Sequence, residues 1–147
     1  MFKRILVAVD GSDTAEQALL EAIKLAKELQ AQLRIVYVVD EVSLSWPEGV
    51  DYQKILDIFR ESGRKILGKV DTEMRKLGLT AETKLLEIDT FGHRTADMIA
   101  AEAESWPAEL IVIGTHGRRG LNRLLLGSVA ECVARIASMP VLLIRGK

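Results

Sequence analysis

The segment from Leu110 to Ile144 decides the fold class; it reads LIVIGTHGRRGLNRLLLGSVAECVARIASMPVLLI. It starts with the apolar run 110–113, continues through a loop punctuated by glycines, and enters a helical pattern at Ser128. A second apolar run follows Pro140. Two short runs rich in Val, Ile and Leu on either side of a helix are typical of parallel strands joined by a crossover helix. The segment therefore predicts an α/β fold.

The loop of this segment has the features of an anion site. Gly114, Gly117 and Gly127 allow sharp turns that present bare backbone N–H groups. The helix that starts at Ser128 adds unpaired N–H donors and the positive end of its dipole. Three arginines lie between the glycines, namely Arg118, Arg119 and Arg123. We therefore predict that the loop binds phosphate.

Some of these residues also have a purely structural interpretation. Ser128 and Glu131 form a Ser-x-x-Glu capping box, which a helix start needs with or without a ligand. Gly127 is also consistent with a simple bend before the helix, and Asp10 with a turn residue beside Gly11. The sequence leaves these alternatives open for each residue taken singly.

Three competing motifs are rejected on their spacing and context. The segment 63–70 nearly matches a phosphate-binding P-loop, but Val70 replaces the hydroxyl residue that would hold Mg²⁺, and the segment lies inside a helical pattern. His93 and His116 are the only histidines, so no cluster has zinc-ligand spacing and we predict no protein metal site. A hydrolytic triad of Asp10, His116 and Ser128 lacks the strained nucleophile turn, so we predict no dedicated catalytic residue.

Composition limits the class of protein and its partners. With 147 residues, 48% of them hydrophobic and 28% charged, the chain fits one domain over 1–147. Its formal net charge of −1 argues against nucleic acid or a polybasic membrane contact, and no apolar run approaches membrane-spanning length. The single cysteine, Cys132, suits a reducing cytoplasm, and its helical spacing with Val129 and Val133 predicts a buried core residue.

Alternating elements are predicted along the whole chain. Strands are expected at about 4–9, 32–39, 82–88, 109–113 and 140–144, and helices at about 13–30, 51–77, 95–105 and 128–137. We expect Asp13 to lead the cap of the first helix, with an apolar stripe that runs to Leu29. In the second helix the predicted stripe has eight apolar residues, namely Ile55, Ile58, Phe59, Ile66, Leu67, Val70, Met74 and Leu77. The strand at 82–88 alternates in polarity, which places it at a sheet edge.

The glycines and the serine together resemble the nucleotide-binding motif of the universal stress protein family. That motif is Gly, two residues, Gly, nine residues, Gly, then Ser or Thr, and here it is Gly114, Gly117, Gly127 and Ser128. The similarity extends from 5–12 near the start to 140–144 near the end. The resemblance implies an open five-stranded parallel sheet of order 3-2-1-4-5 with helices on both faces, a Rossmann-like fold. Such a sheet binds its ligand where the strand order reverses.

The resemblance also implies the ligand and its contacts. The ligand is ATP, or AMP or ADP, and Mg²⁺ would arrive with the nucleotide. Backbone groups of Val38, with Val39 beside it, are assigned to the adenine edge, and Asp10 to the adenine and ribose. Ala8 and Ile113 are apolar walls. The phosphates are assigned to Gly114, Gly117, Gly127, Ser128 and the Val129 N–H, with His116 and Arg118 as side-chain neighbours.

The resulting functional hypothesis is a cytoplasmic nucleotide-binding regulator of the stress response. The uninterrupted apolar strand 141–144 at a sheet edge predicts a homodimer through that strand, as is common in the family, unless Leu124 to Leu126 and the last helix cover it. A protein partner is also expected. The alternatives are slow ATP hydrolysis or self-phosphorylation, with Asp10 or His116 orienting water, and a nucleotide-free interaction module. Valine at Gly117 or Gly127 is expected to abolish nucleotide binding while the fold survives.

Overall fold

The computed structural model describes residues 2–39, 49, 51–88, 94–116 and 126–146. Strands and helices alternate through these ranges, and every boundary predicted from the sequence agrees within about one residue. The elements are β1 (Arg4–Ala8), α1 (Asp13–Leu29), β2 (Gln32–Val39), α2 (Tyr52–Lys76), β3 (Ala81–Glu87), α3 (Thr95–Ser105), β4 (Leu110–Gly114), α4 (Ser128–Ile136) and β5 (Val141–Ile144).

The described strands form one five-stranded sheet in the order β3-β2-β1-β4-β5, and all four neighbouring pairs are parallel. The predicted fold class and strand order are confirmed. β3 lies at one edge, as its alternating polarity predicts, and β5 lies at the other. Because β1 has β2 on one side and β4 on the other, the strand order reverses next to β1.

Successive residues of the central strands pack into two separate apolar layers. Ile5 and Val7 of β1 lie in the layer covered by α1 and α2, whereas Leu6 lies in the layer covered by α3 and α4. In β4, Val112 and Ile111 divide between the layers in the same way. This period-two division is the geometry of a strand that is buried on both faces, and it explains the nearly continuous apolar runs in the sequence.

The starts of α1 and α4 differ from the predicted caps. The Ala15 N–H donates to the Ser12 hydroxyl at 3.2 Å, so Ser12 caps α1 and the expected cap at Asp13 was wrong. Gly127 occupies the cap position of α4 with no side-chain hydrogen bond, so the Ser128–Glu131 capping box was also wrong. Ser128 is instead the first helical residue, and its hydroxyl is not required to start the helix.

The buried face of α2 agrees with the predicted stripe at Leu67, Val70 and Met74 and differs from it in detail. Leu56 is buried, whereas Ile58 is 66% exposed, and the ends of the predicted stripes at Leu77 and Leu29 are 46% and 36% exposed. Gly63 lies at the centre of the buried face, where an added Cβ would come within 2.7 Å of the Tyr37 and Leu85 side chains. The P-loop-like segment is therefore a packing surface. No helix in the described ranges, the 25-residue α2 included, has the length and apolar character to cross a membrane.

A cluster of charged side chains lies between α3 and the β2–β3 edge. The Glu102 carboxylate is only 7% exposed and accepts hydrogen bonds from Arg34 at 2.7 Å and from Lys84 at 2.9 Å. Arg34 also donates to Glu82 at 2.8 Å, and its guanidinium lies 4.7 Å from the centre of the Trp106 ring. A buried carboxylate with two cationic partners fixes α3 on the sheet, because moving α3 away would separate the Glu102 carboxylate from both of them.

Candidate functional site

The reversal of strand order creates a crevice at the carboxyl ends of β1 and β4. Val7 pairs with Val112. Asp10 and Thr115, each three residues further along, therefore lie at the same level at the end of the sheet. The crossovers that follow β1 and precede β4 use α1 and α3, which cover opposite faces of the sheet. The chain therefore departs to opposite faces on the two sides of these strand ends, the position at which open α/β sheets bind ligands.

The start of α4 is tied to the end of β4 through Thr115. The Gly127 N–H donates to the Thr115 carbonyl at 2.7 Å, and the Thr115 N–H donates to the Ile144 carbonyl at 2.9 Å. Thr115 itself is 8% exposed. The chain thus leaves the sheet at Thr115 and returns beside the same residue at Gly127, which holds the beginning of α4 at the crevice.

The first turn of α4 supplies a group of backbone donors at this position. The Glu131 N–H donates to the Gly127 carbonyl at 2.9 Å and is the first hydrogen bond of the helix. The amides of Ser128, Val129 and Ala130 precede that bond, so they have no acceptor within the helix. With the positive end of the helix dipole, these amides form a site suited to phosphate. The Ser128 side chain is exposed beside them.

The two described glycines of the motif are required by the protein's own packing. A Cβ on Gly127 would lie 2.7 Å from the Thr115 carbonyl oxygen. A Cβ on Gly114 would lie 2.7 Å from the Thr14 Cγ2 and 3.0 Å from the Thr14 carbonyl oxygen. Glycine is therefore needed at both positions for the β4 end, α1 and α4 to approach one another, which adds a structural reason to the predicted role in phosphate binding.

Asp10 forms a turn at the other side of the crevice. Its Oδ1 accepts a hydrogen bond from the Ser12 N–H at 2.8 Å, and Gly11 between them has a φ of 85°. This turn leads directly into the cap of α1. The turn interpretation of Asp10 is therefore confirmed. The carboxylate also lies at the end of β1, the position that the resemblance assigns to the adenine and ribose.

The two predicted apolar walls, Ala8 and Ile113, lie on the same face of the sheet. Ala8, Val38 and Ile113 pack with the layer under α3 and α4, whereas Val39 is buried in the layer under α1 and α2. The Val36 carbonyl accepts from the Val9 N–H. Because backbone groups alternate in direction along a strand, the N–H and carbonyl of Val38 face this same side, beyond the last register pair between β1 and β2. Val38 thus presents backbone groups toward the crevice.

The remaining predicted residues are only partly described. The His116 Nδ1 lies 3.0 Å from the Thr115 Oγ1 at the crevice. Gly117 and Arg118, with Arg119 and Arg123, lie outside the described residues. Within the described ranges, no group of three or more His, Cys, Asp or Glu side chains is arranged to hold a metal ion.

Two threonines at the site were missed as structural anchors. Thr115 accepts the hydrogen bond from Gly127 through its backbone carbonyl, so its residue type carried no signal of this role. Thr14 lies in the first turn of α1, where an added Cβ on Gly114 or on Gly146 would come within 2.7 Å of its side chain. Gly114 and Gly146 are the only signs of that contact in the sequence.

Comparison with known proteins gives the same assignment along the whole chain. The model of the universal stress protein family matches residues 1–145. The universal stress protein MJ0531 of Methanocaldococcus jannaschii is 37% identical over 146 residues, which cover 99% of this chain and 83% of that protein. The chain belongs to the universal stress protein family.

Solved structures of relatives have the same fold. A member of the family from Burkholderia pseudomallei is 37% identical, with a TM-score of 0.80 over 97% of this chain and 96% of its own. The universal stress protein of Archaeoglobus fulgidus, solved in complex with dAMP, is 29% identical, with a TM-score of 0.66 over 97% of this chain and 98% of its own.

Proposed function

We propose that this protein binds an adenine nucleotide at the crevice between β1 and β4 and acts as a single-domain cytoplasmic regulator of the stress response. The ligand is ATP, or AMP or ADP. Its phosphates contact the amides of Ser128 and Val129, together with Gly114, Gly117 and Gly127. The adenine edge meets the backbone of Val38, and Asp10 contacts the ribose.

One observation carries the proposal: the amides at the start of α4 are held at the switch point of the sheet by the hydrogen bond between Gly127 and Thr115. This arrangement supports an anion site at the position where this class of sheet binds its ligand. The Archaeoglobus fulgidus relative in complex with dAMP supports an adenosine monophosphate moiety as the shared ligand group. We expect Mg²⁺ to arrive with ATP.

Replacing Ser128 with alanine tests the phosphate site without disturbing the helix. Because Gly127 rather than Ser128 occupies the cap position, the variant should keep its free energy of unfolding within about 0.5 kcal/mol of the unaltered protein. Loss of one hydrogen bond to a charged phosphate should weaken ATP binding about tenfold. Isothermal titration calorimetry with ATP and AMP measures the affinity, and urea denaturation measures the stability.

Ser105→Ala is the matched control, since Ser105 is an exposed serine at the opposite end of a helix. Its nucleotide affinity should not change. If the folded, unaltered protein releases no heat with ATP, ADP or AMP, the proposed function is wrong. If nucleotide binds but Ser128→Ala has no effect, the phosphates lie away from the start of α4.

We further propose that β5 forms a homodimer with the same strand of a second copy. Among the described strands β5 has a neighbour on one side only, and Leu142 on it is 37% exposed. An apolar strand with an open edge favours pairing with another chain. Dimer contacts of this kind would allow the bound nucleotide to influence the binding of a protein partner. The Thr115 N–H donates to the Ile144 carbonyl, so the phosphate loop is linked directly to β5.

Leu142→Glu is expected to convert the dimer to a monomer, because it places a charge in the apolar contact. Analytical ultracentrifugation at several protein concentrations measures the association state. The control is Leu20→Glu, which changes an exposed leucine on α1 that is 46% exposed. A monomeric unaltered protein, or a Leu142→Glu variant that still dimerises, would contradict the assignment of this edge.

A further inference from the structure

A cleft of about 350 Å³ opens between the starts of α3 and α4. Arg94 and Thr95 line it from α3, and Ser128, Glu131 and Arg135 line it from α4. Ser128 belongs both to this cleft and to the proposed phosphate site, so the two share a wall. The volume is within the range of small-molecule sites. The cleft therefore offers room for groups that extend beyond a phosphate bound at Ser128.

The lining of this cleft includes two arginines, Arg94 and Arg135, and one glutamate, Glu131. The Arg135 Nη2 lies 3.9 Å from the Cys132 sulfur, and no described carboxylate lies within ion-pair distance of Arg135. Arg94 pairs with Asp97 at 3.1 Å, and Glu131 contributes the opposing charge. The positive charge of Arg135 is thus not neutralised by a direct ion pair within the described residues.

Arg94 is also able to change its partner. Its ion pair with Asp97 joins residues three positions apart at the surface, where the Arg94 side chain is 58% exposed. Exposed pairs of this kind are weak, so exchange of Asp97 for a phosphate costs little. The hydrogen bond that Asp97 accepts raises the pKa of the Arg94 guanidinium, so the group remains charged throughout the physiological pH range. Guanidinium groups bind phosphate with two parallel hydrogen bonds.

We propose that Arg94 and Arg135 determine specificity for the length of the nucleotide's phosphate chain. The cleft takes the phosphate groups beyond the first, and these two arginines supply their counter-charge. The protein should accordingly prefer ATP to AMP. Glu131 opposes this preference, since its carboxylate lies in the same lining. This inference rests on the proposed function, but it concerns the ratio of two affinities rather than nucleotide binding itself.

The test is calorimetric titration of the full chain with ATP and with AMP, in EDTA so that no divalent cation contributes. Arg135→Gln and Arg94→Gln should each weaken ATP binding about tenfold and change AMP binding less than about twofold. Arg135→Lys should retain much of the preference for ATP, because lysine keeps the charge without the fork geometry. Glu131→Gln should have the opposite effect and raise the ratio of the ATP affinity to the AMP affinity.

Arg64→Gln is the matched control for the loss of one positive charge. Like Arg94, Arg64 is exposed and pairs with a carboxylate three positions away, but it lies on α2. Its affinity ratio should match that of the unaltered protein. If the arginine variants bind both nucleotides but leave the ratio unchanged, or weaken ATP and AMP equally, the inference is overturned while the proposed function stands. If the unaltered protein binds neither nucleotide, both fall.

Discussion

Replacing Gly127 with alanine is expected to reduce nucleotide affinity by more than about tenfold and to lower the free energy of unfolding by about 1–3 kcal/mol. The backbone of Gly127 has a φ of −63°, which any residue adopts, so strain in the backbone is not the cause. The cause is the 2.7 Å approach of the new Cβ to the Thr115 carbonyl oxygen. The start of α4 must move away from β4, which displaces the phosphate-binding amides.

We therefore expect a side chain at Gly127 to lower stability as well as nucleotide affinity. A control is provided by Gly68→Ala, since an added Cβ there meets nothing within 4 Å. Gly68 lies inside α2, where alanine should be neutral or stabilise by up to about 1 kcal/mol. Urea denaturation and calorimetry report the two effects separately. Full nucleotide affinity in the Gly127→Ala variant would show that the anchored start of α4 is not the phosphate site.

Replacing Glu102 with alanine is expected to lower the free energy of unfolding by about 2–4 kcal/mol. The change removes the buried carboxylate partner of Arg34, which is itself largely buried against Trp106 and keeps only the exposed Glu82. Lys84 loses the same partner, but its side chain is about half exposed and can be solvated, which limits the cost. Chemical denaturation measures the loss.

Glu104→Ala is the matched control on the same helix. Glu104 is exposed, and the hydrogen bond it accepts from Ser138 is also at the surface, so its loss should change stability by less than about 0.5 kcal/mol. The double change of Arg34→Met with Glu102→Leu should recover part of the stability, because it removes both charges together. An unaltered unfolding free energy in Glu102→Ala would mean that the cluster does not hold α3.

The strands were predictable because their signal is local and repeated. β1 and β4 are buried on both faces and read as uninterrupted apolar runs, whereas β3 alternates and lies at an edge. The strand order itself came from the family resemblance, since parallel strands of similar composition carry little information about their neighbours. The structure confirms that order.

The face of α2 that packs on the sheet was largely predictable from periodicity. Leu67, Val70 and Met74 belong to the predicted stripe and are buried, whereas Leu56 was missed and Ile58 is exposed. Gly63 was missed as well, although it allows Tyr37 and Leu85 to pack close to the helix backbone. A residue without a side chain contributes nothing to a hydrophobic pattern, so this contact leaves no signal in the sequence.

The same limit applies to the candidate site. Ser12 and Asp13 are both good caps, and so are Gly127 and Ser128, so residue type alone did not separate them. The hydrogen bond from Gly127 to Thr115 uses only backbone atoms. Glu102 was missed because its partners Arg34 and Lys84 lie 68 and 18 positions away in the chain.

Arg34 has a further consequence for how the chain finds its native pairing. It lies between Leu33 and Ile35, which are buried on the opposite face of β2. If β2 paired one residue out of register during folding, the Arg34 guanidinium would enter the apolar layer under α1. An aliphatic side chain would then take its place opposite Glu102. The shifted sheet would carry two charges without partners, those of Arg34 and Glu102. The charged cluster therefore disfavours the shifted pairing, even though its net contribution to the free energy of folding is modest.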